Sequence, residues 1–163
     1  MRKIGSTGVQ RRAARLAAVQ ALYQMELAHK TISEAIIDIT DRRSNVSTED
    51  EELPTPTTVD ERLFKDIVEG TTAAANKFDR IIDNVLKKER GVNRIEILLR
   101  LILRAGAYEI LTRKDIDAPL SINEYVAISQ AFFGGTEPSF VNGVLDQLAK
   151  EQYKTRNEKY GEG

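Results

Sequence analysis

The stretch from residue 93 to 111 constrains this chain more than any other. Ile95, Leu98, Leu99, Ile102 and Leu103 cover one side of a helix, and Ile97, Leu101, Ala105 and Tyr108 cover most of the other. A helix that is apolar nearly all round has no face to give to water, so it belongs in the middle of a bundle. Its polar strip is narrow, with Glu96, Arg100 and Arg104 at positions i, i+4 and i+8. Glu109 projects near the apolar side and needs a partner where it is buried. A chain of 163 residues is long enough to enclose such a helix, as one domain or as two small lobes sharing a core.

The remaining periodic segments supply the enclosing helices. Leu16, Val19, Tyr23 and Leu27 fall in one arc of a helix from about residue 9 to 28, bordered by Ala13, Ala17 and Ala21. Ile32, Ala35, Ile36 and Ile39 form a second, shorter group, and from Arg42 to Thr58 the period is lost in a polar stretch with the acidic run Glu49–Glu52. That composition reads as a solvated acidic loop at about 41–58. Thr58 and Glu61 have capping-box spacing ahead of Leu63, Phe64, Ile67 and Val68. Gly70 and the pair Thr71–Thr72 weaken the pattern before a further stripe of Phe78, Ile81, Ile82 and Val85. Lys87, Lys88 and Arg90 before Gly91 mark the end of that helix. Pro119 breaks the chain, and Ser121 with Glu124 offers a second capping box before Ile122, Tyr125, Val126, Ser129, Phe132 and Phe133. Gly134–Gly135 stops that helix. A last one follows Pro138 and buries Phe140, Val141, Val144, Leu145 and Leu148, and the polar tail from Lys154 is expected to fray. No strand alternation appears, so the expectation is an all-α fold of about seven helices.

Most chemistry is excluded by what the chain lacks. With no cysteine there are no disulfides, thiolate metal sites or thiol nucleophiles, and one histidine rules out H-E-x-x-H. Neither a phosphate-binding P-loop, a G-x-G-x-x-G turn nor a G-x-S-x-G elbow is present. His29 beside Lys30 reads as a cation at a helix C-terminus. Asp79 and Asp83, flanked by Lys and Arg, read as a solvated ion-paired face, and the acidic run lacks the spacing of a calcium loop. No catalytic residue, metal or cofactor is expected. No segment reaches half the roughly 18 apolar residues that a membrane span needs, and Arg11, Arg12 and Arg15 interrupt any signal-peptide core, which points to a cytoplasmic protein.

Charge is balanced overall, at 24 basic and 25 acidic residues, but it is unevenly distributed. Residues 1–30 carry Arg2, Lys3, Arg11, Arg12, Arg15 and Lys30 against Glu26 alone, whereas residues 31–60 are strongly acidic. Arg11 and Arg15 share a helical face, with Arg12 within about 100° of both, opposite or flanking the apolar stripe. Gly5 and Gly8 precede them, leaving Arg2 and Lys3 on a flexible arm. Cations at a helix start oppose its macrodipole, a local cost that favours a role in gripping phosphates over mere solubility. A solubilising helix end stays open as the alternative.

Four blocks then carry a resemblance. Arg11-Arg12-Ala13-Ala14-Arg15-Leu16-Ala17-Ala18-Val19-Gln20-Ala21-Leu22-Tyr23 resembles the opening helix of the NusB family of bacterial transcription antitermination factors. Leu103-Arg104-Ala105-Gly106-Ala107-Tyr108-Glu109-Ile110, Ile122-Asn123-Glu124-Tyr125-Val126 and Phe140-Val141-Asn142-Gly143-Val144-Leu145-Asp146 continue it in the family's order. The resemblance implies two small helical bundles packed together without catalytic activity, here an N-terminal lobe at about 9–73 and a C-terminal lobe at about 74–153. It implies binding of the single-stranded boxA element of ribosomal RNA leader transcripts together with a small-subunit ribosomal protein, NusE. NusA, NusG and RNA polymerase complete the antitermination complex. By that resemblance Arg11, Arg12 and Arg15 match the arginine-rich RNA-binding motif, and Asn142 falls in a turn near the RNA. Tyr23 matches the face that meets the ribosomal protein, with Glu96 and Arg100 as further candidates there.

Read without the resemblance, Phe140 is core, Gly143 permits close helix packing, and Asn123 and Asn142 bond loop backbone. The acidic loop is longer than the family needs, and Ser139 stands where a basic residue often precedes the phenylalanine of the last motif. Two other functions remain open: a protein–protein scaffold, and a stand-alone relative of the NusB-like domain fused to RNA methyltransferases, which this chain lacks the sequence units to complete. Monomer and homodimer are both compatible with the family.

Overall fold

The computed structural model describes residues 7–45, 59–86 and 95–160. Seven helices are found there: α1 (Gly8–Ala28), α2 (Ile32–Asn45), α3 (Glu61–Ala73), α4 (Ala75–Leu86), α5 (Ile97–Thr112), α6 (Ala118–Phe132) and α7 (Glu137–Tyr160). The fold is all-α. It divides into two compact units, Met1–Glu69 and Gly70–Gly163, with the division inside α3.

In the first unit two capping boxes start two helices. The Thr7 Oγ1 accepts from the Gln10 backbone N–H at 3.2 Å, and the Thr7 N–H donates to Gln10 Oε1 at 2.9 Å. Thr31 and Glu34 repeat the arrangement at the start of α2, at 3.2 and 2.9 Å. Each box satisfies orphan backbone donors at both ends of a T-x-x-[QE] step. Between the two helices His29 adopts φ 52°, ψ 37°, the left-handed cap that reverses the chain. Lys30 and Asp38 pair across the turn, and α1 packs on α2. That second helix runs through Asp41 to Asn45, further than the loss of period at Arg42 suggested. The remainder of the acidic stretch, 46–58, lies outside the described residues, as does Thr58. The cap of α3 is Asp60, whose Oδ1 accepts from the Leu63 N–H at 3.0 Å, so Glu61 is the first helical residue and not the far member of a capping box.

In the second unit α5 packs against α4, α6 and α7. Leu99, every residue from Leu101 to Ala107, Glu109 and Ile110 are buried, as a helix apolar on all sides requires. Gly106 allows a close approach, since a Cβ there would lie 2.8 Å from Leu145 Cδ1 of α7. Arg104 is buried as well. Its Nε and Nη2 donate to Asp79 Oδ1 and Oδ2 of α4, both at 2.6 Å. Asp79 is therefore half of an internal bidentate pair, not part of a solvated face. One residue away Phe78 meets the Tyr108 ring edge-on, with centroids 5.9 Å apart at 81°. The Tyr108 ring in turn lies where a Cβ on Gly70 would sit. Gly70 does not weaken α3; it makes room for Tyr108.

The α5–α6 connection is closed by Arg113 and Asp115 in a bidentate pair at 2.9 and 2.8 Å. Helix α6 begins four residues earlier than a cap at Ser121 would place it, with Asp117 as N-cap and Pro119 in the first turn. Proline is harmless there because first-turn N–H groups have no intrahelical acceptor. Ser121 consequently sits inside the helix, fully buried. Phe132 is on the inner stripe by angle but 42% exposed at the last turn, while Ile128 is buried in its place. In α7 Val141, Val144, Leu145 and Leu148 are buried and Phe140 is only half-buried. Gly143 faces open space, so packing does not require a glycine there. The polar tail does not fray at Lys154; α7 continues to Tyr160. Its Glu, Lys, Gln and Arg are good helix formers that need no apolar period.

Removing one partner of a buried ion pair strands the other. Asp79→Ala is expected to lower unfolding stability by about 3 kcal/mol, read as a shift of the urea midpoint. Asp79→Leu combined with Arg104→Met is expected to cost less than Asp79→Ala alone. Gly70→Ala is expected to cost about 1–3 kcal/mol by overpacking against Tyr108, in the same assay.

Candidate nucleic-acid and protein interface

The first turns of α1 place the three arginines in three different environments. Arg12 is exposed. Arg11 is 37% exposed, with its Nε 3.9 Å from Asp60 Oδ2, so part of its charge is met within the unit. Arg15 is only 1% exposed. The three are therefore not one exposed cluster. The reason is the face that α1 buries. Ala14, Ala17, Ala18, Val19, Ala21 and Leu22 are buried, an arc centred near Ala18. Arg11 and Arg15 lie within that arc by angle, whereas Arg12 lies outside it. The small alanines leave depth for a long side chain to lie inward among them.

Asp60 ties this end of the helix together. Its backbone N–H donates to the Gln10 carbonyl at 3.2 Å, its carboxylate caps α3, and the same carboxylate faces Arg11. The first turn of α1 contains no acidic residue. A carboxylate brought from elsewhere in the chain offsets the unfavourable placement of a cation at a helix start.

The arc read as the apolar stripe turns out to point mostly outward. Leu27 is 52% exposed, Leu16 and Tyr23 are half-buried, and only Val19 of that set is in the core. Val9, 62% exposed, extends the same row. By angle Arg12 borders it. Tyr23 is thus a member of a partly exposed apolar row on the outer side of α1.

The other candidates belong to the second unit. Glu96 is exposed and is the N-cap residue of α5, with no side-chain cap bond. Arg100, half-buried, donates its backbone N–H to the Glu96 carbonyl at 2.9 Å, so the two stand one turn apart. Asn142 is exposed on α7 beside the open Gly143. Arg2 and Lys3 lie outside the described residues. The Thr7/Gln10 box, which seats the arginines, was legible as a T-x-x-Q step. The capping role of Asp60 carried no comparable signal, because its link to α1 is tertiary.

Among the described residues no group of three or more His, Asp or Glu could hold a metal ion, and no helix is long and apolar enough to cross a membrane. The described residues form an all-helical fold, with an exposed arginine and a partly exposed apolar row on its first helix. Comparison with known proteins gives the particular kind. The model of the NusB family matches residues 12–150. The transcription antitermination protein NusB of Sinorhizobium medicae is 40% identical over 142 residues, covering 87% of each chain. That of Bradyrhizobium diazoefficiens is 39% identical over 154 residues, covering 94% of this chain and 89% of the relative. The solved structure of T. maritima NusB superposes with a TM-score of 0.69 at 30% identity, covering 86% of this chain and 91% of that one. A chain from the crystal structure of antitermination factors NusB and NusE in complex with dsRNA shares the fold, with a TM-score of 0.71 at 22% identity over 89% and 99% of the two chains. The chain belongs to the NusB family.

Burial separates Arg15 from Arg12 in a way that stability measurements read directly. Arg15→Ala is expected to lose on the order of 2 kcal/mol, because the aliphatic stem and its contacts leave a void. Arg12→Ala is expected to stay within about 0.5 kcal/mol of the wild-type chain. Thermal or urea unfolding of the two variants checks both.

Proposed function

We propose that this chain is a transcription antitermination factor that binds boxA-type single-stranded RNA of ribosomal RNA leader transcripts together with the ribosomal protein NusE. In this reading the pair joins NusA, NusG and RNA polymerase. The observation that carries the reading is the exposed Arg12 next to the partly neutralised Arg11, in a chain 40% identical to a curated antitermination protein. Arg12 supplies the principal phosphate contact and Arg11 a weaker one. Arg15, held inside, acts on RNA binding only by positioning the helix that bears them. Asn142 contributes a neutral hydrogen-bonding side chain. A solved relative of the same fold was crystallised with NusE and dsRNA, which supports NusE as the protein partner.

The outward row of Val9, Leu16, Tyr23 and Leu27 is a suitable protein-docking face, because exposed apolar side chains in a row favour burial against a partner. Glu96 and Arg100 would add a charged contact to the same partner.

Fluorescence anisotropy tests the reading, with a short boxA-type RNA, a scrambled strand and a duplex of the same length, with and without NusE. Preferential binding of the single-stranded boxA-type RNA, strengthened by NusE, is expected. Arg12→Ala is expected to weaken it and to reduce the log–log salt slope by about 0.7, the value of one single-strand phosphate contact. Tyr23→Asp is expected to abolish the gain from NusE while leaving RNA binding alone intact. Equal binding of boxA-type and scrambled strands, or an effect of neither variant, overturns the proposal.

A further inference from the structure

The last two turns of α7 extend past the residue at which the family match ends, and they are not surplus helix. Along the inner face of α7 the buried residues Val141, Val144, Leu145 and Leu148 are followed, in the same angular register, by Gln152, Thr155, Arg156 and Lys159. The apolar seam thus becomes a polar and cationic one. These side chains, with Asn157 and with Lys114 from the α5–α6 connection, line an open groove of about 640 Å³ within the second unit.

Among the described residues three cations line this groove and no acid does. Among the described residues Lys114, Arg156 and Lys159 form no ion pair, although other cations nearby do. Lys150 meets Asp146 at 2.9 Å, and Arg113 is locked to Asp115, leaving Lys114 between two residues whose charges answer each other. Glu151 and Glu158 fall about 100–120° from the mean direction of the lining residues, on the flank of the helix beyond Thr155. A cation in the final turn complements the helix dipole, which accounts for Lys159 alone. It does not account for Lys114, which is on another element, or for Arg156, one turn earlier. Tyr153, 67% exposed, lies by angle within the arc of lining residues, beside Arg156. Cations lining a groove, with an exposed aromatic ring on the adjoining surface of the same helix, suit a single-stranded nucleic acid, whose phosphates pair with the cations while an unpaired base stacks on the ring. An acidic peptide would use the charges but not the ring.

We infer that the groove between the C-terminal turns of α7 and Lys114 is a second RNA-binding site, which takes the backbone of single-stranded RNA with little regard to sequence. It is built from residues other than those assigned to boxA-type recognition. In the full-length protein it would hold a length of transcript by charge and stacking.

The test uses a fluorescein-labelled 16-nucleotide oligouridylate, which has no boxA sequence, and labelled polyglutamate as a control, both across a salt series. The full-length chain is compared with the triple variant Lys114→Ala/Arg156→Ala/Lys159→Ala, with Tyr153→Ala, and with Arg12→Ala. All the altered side chains are exposed, and unchanged circular dichroism and melting confirm the fold. The triple variant is expected to bind oligouridylate at least tenfold more weakly, with a log–log salt slope smaller by about 2, at roughly 0.7 per phosphate. Tyr153→Ala is expected to weaken binding several-fold without changing the slope, and Arg12→Ala, which removes one phosphate contact, to cost less oligouridylate affinity than the triple variant. Failure of the wild-type chain to bind oligouridylate overturns the inference, as does a triple variant within twofold of wild type. An equal loss towards polyglutamate with no effect of Tyr153→Ala also overturns it, making the groove a surface for acidic protein. None of these outcomes bears on the preference for boxA-type RNA, which Arg12→Ala tests separately.

Discussion

The pair between Arg104 and Asp79 sets the terms for the second unit. A helix that is apolar on nearly every side gains most when fully enclosed, yet α5 carries an arginine in its buried middle. Enclosing that charge without a partner would cost several kcal/mol. Asp79 answers with both carboxylate oxygens at 2.6 Å, and a bidentate pair has only one good geometry. The register of α4 against α5 is thereby limited to the one that brings these residues together. The same register seats Phe78 on Tyr108, and Tyr108 then fills the space above Gly70 at the end of α3. Helices α4 and α5 are aligned through one ionic contact and the aromatic pair beside it.

The central helix was legible because its signal is redundant: any reasonable register buries Leu and Ile on every side. Helix α1 was not, because large apolar residues were weighed above small ones. The wheel drew attention to Leu16, Tyr23 and Leu27, whereas the buried arc is built on Ala14, Ala17, Ala18 and Ala21. Alanine adds little transfer energy, but it lets another element approach closely and leaves room for the stem of Arg15. The face of a helix rich in alanine is decided by what packs against it, and that is tertiary information. The same limit hid the true start of α6. Ser121 has the spacing of a cap, but Asp117 and Pro119 already begin the helix, and the serine is carried inside.

Capping boxes show the complementary case, a local signal that is only as good as its competition. Four S/T-x-x-[EQ] steps bear on helix starts in this chain. Two of them, Thr7/Gln10 and Thr31/Glu34, close both reciprocal hydrogen bonds. Ser121/Glu124 loses to an earlier start, and at Glu61 the cap passes to Asp60. Asp60 is also tied by its backbone to Gln10 and by its carboxylate to Arg11. A side chain that serves one helix end and the charge on another is favoured over one that serves a single turn.

Seen this way, the near-neutral charge of the chain is a sum over cations with different duties. Arg104 and Arg15 are internal, Arg113 closes a connection, and Arg11 is partly met by Asp60. Their charges are committed to holding the fold, however basic the local sequence looks. Arg12, Lys114, Arg156 and Lys159 are exposed, and the last three line a groove with no acid among its described lining residues. Phosphate binding draws most on cations that lose little by being desolvated against a new partner, so this second group counts towards it more than the first. A chain with net charge of −1 can therefore present strongly cationic surfaces. Asp79 and Asp60 answer arginines within their own units, and Asp115 and Asp146 answer Arg113 and Lys150 at the surface.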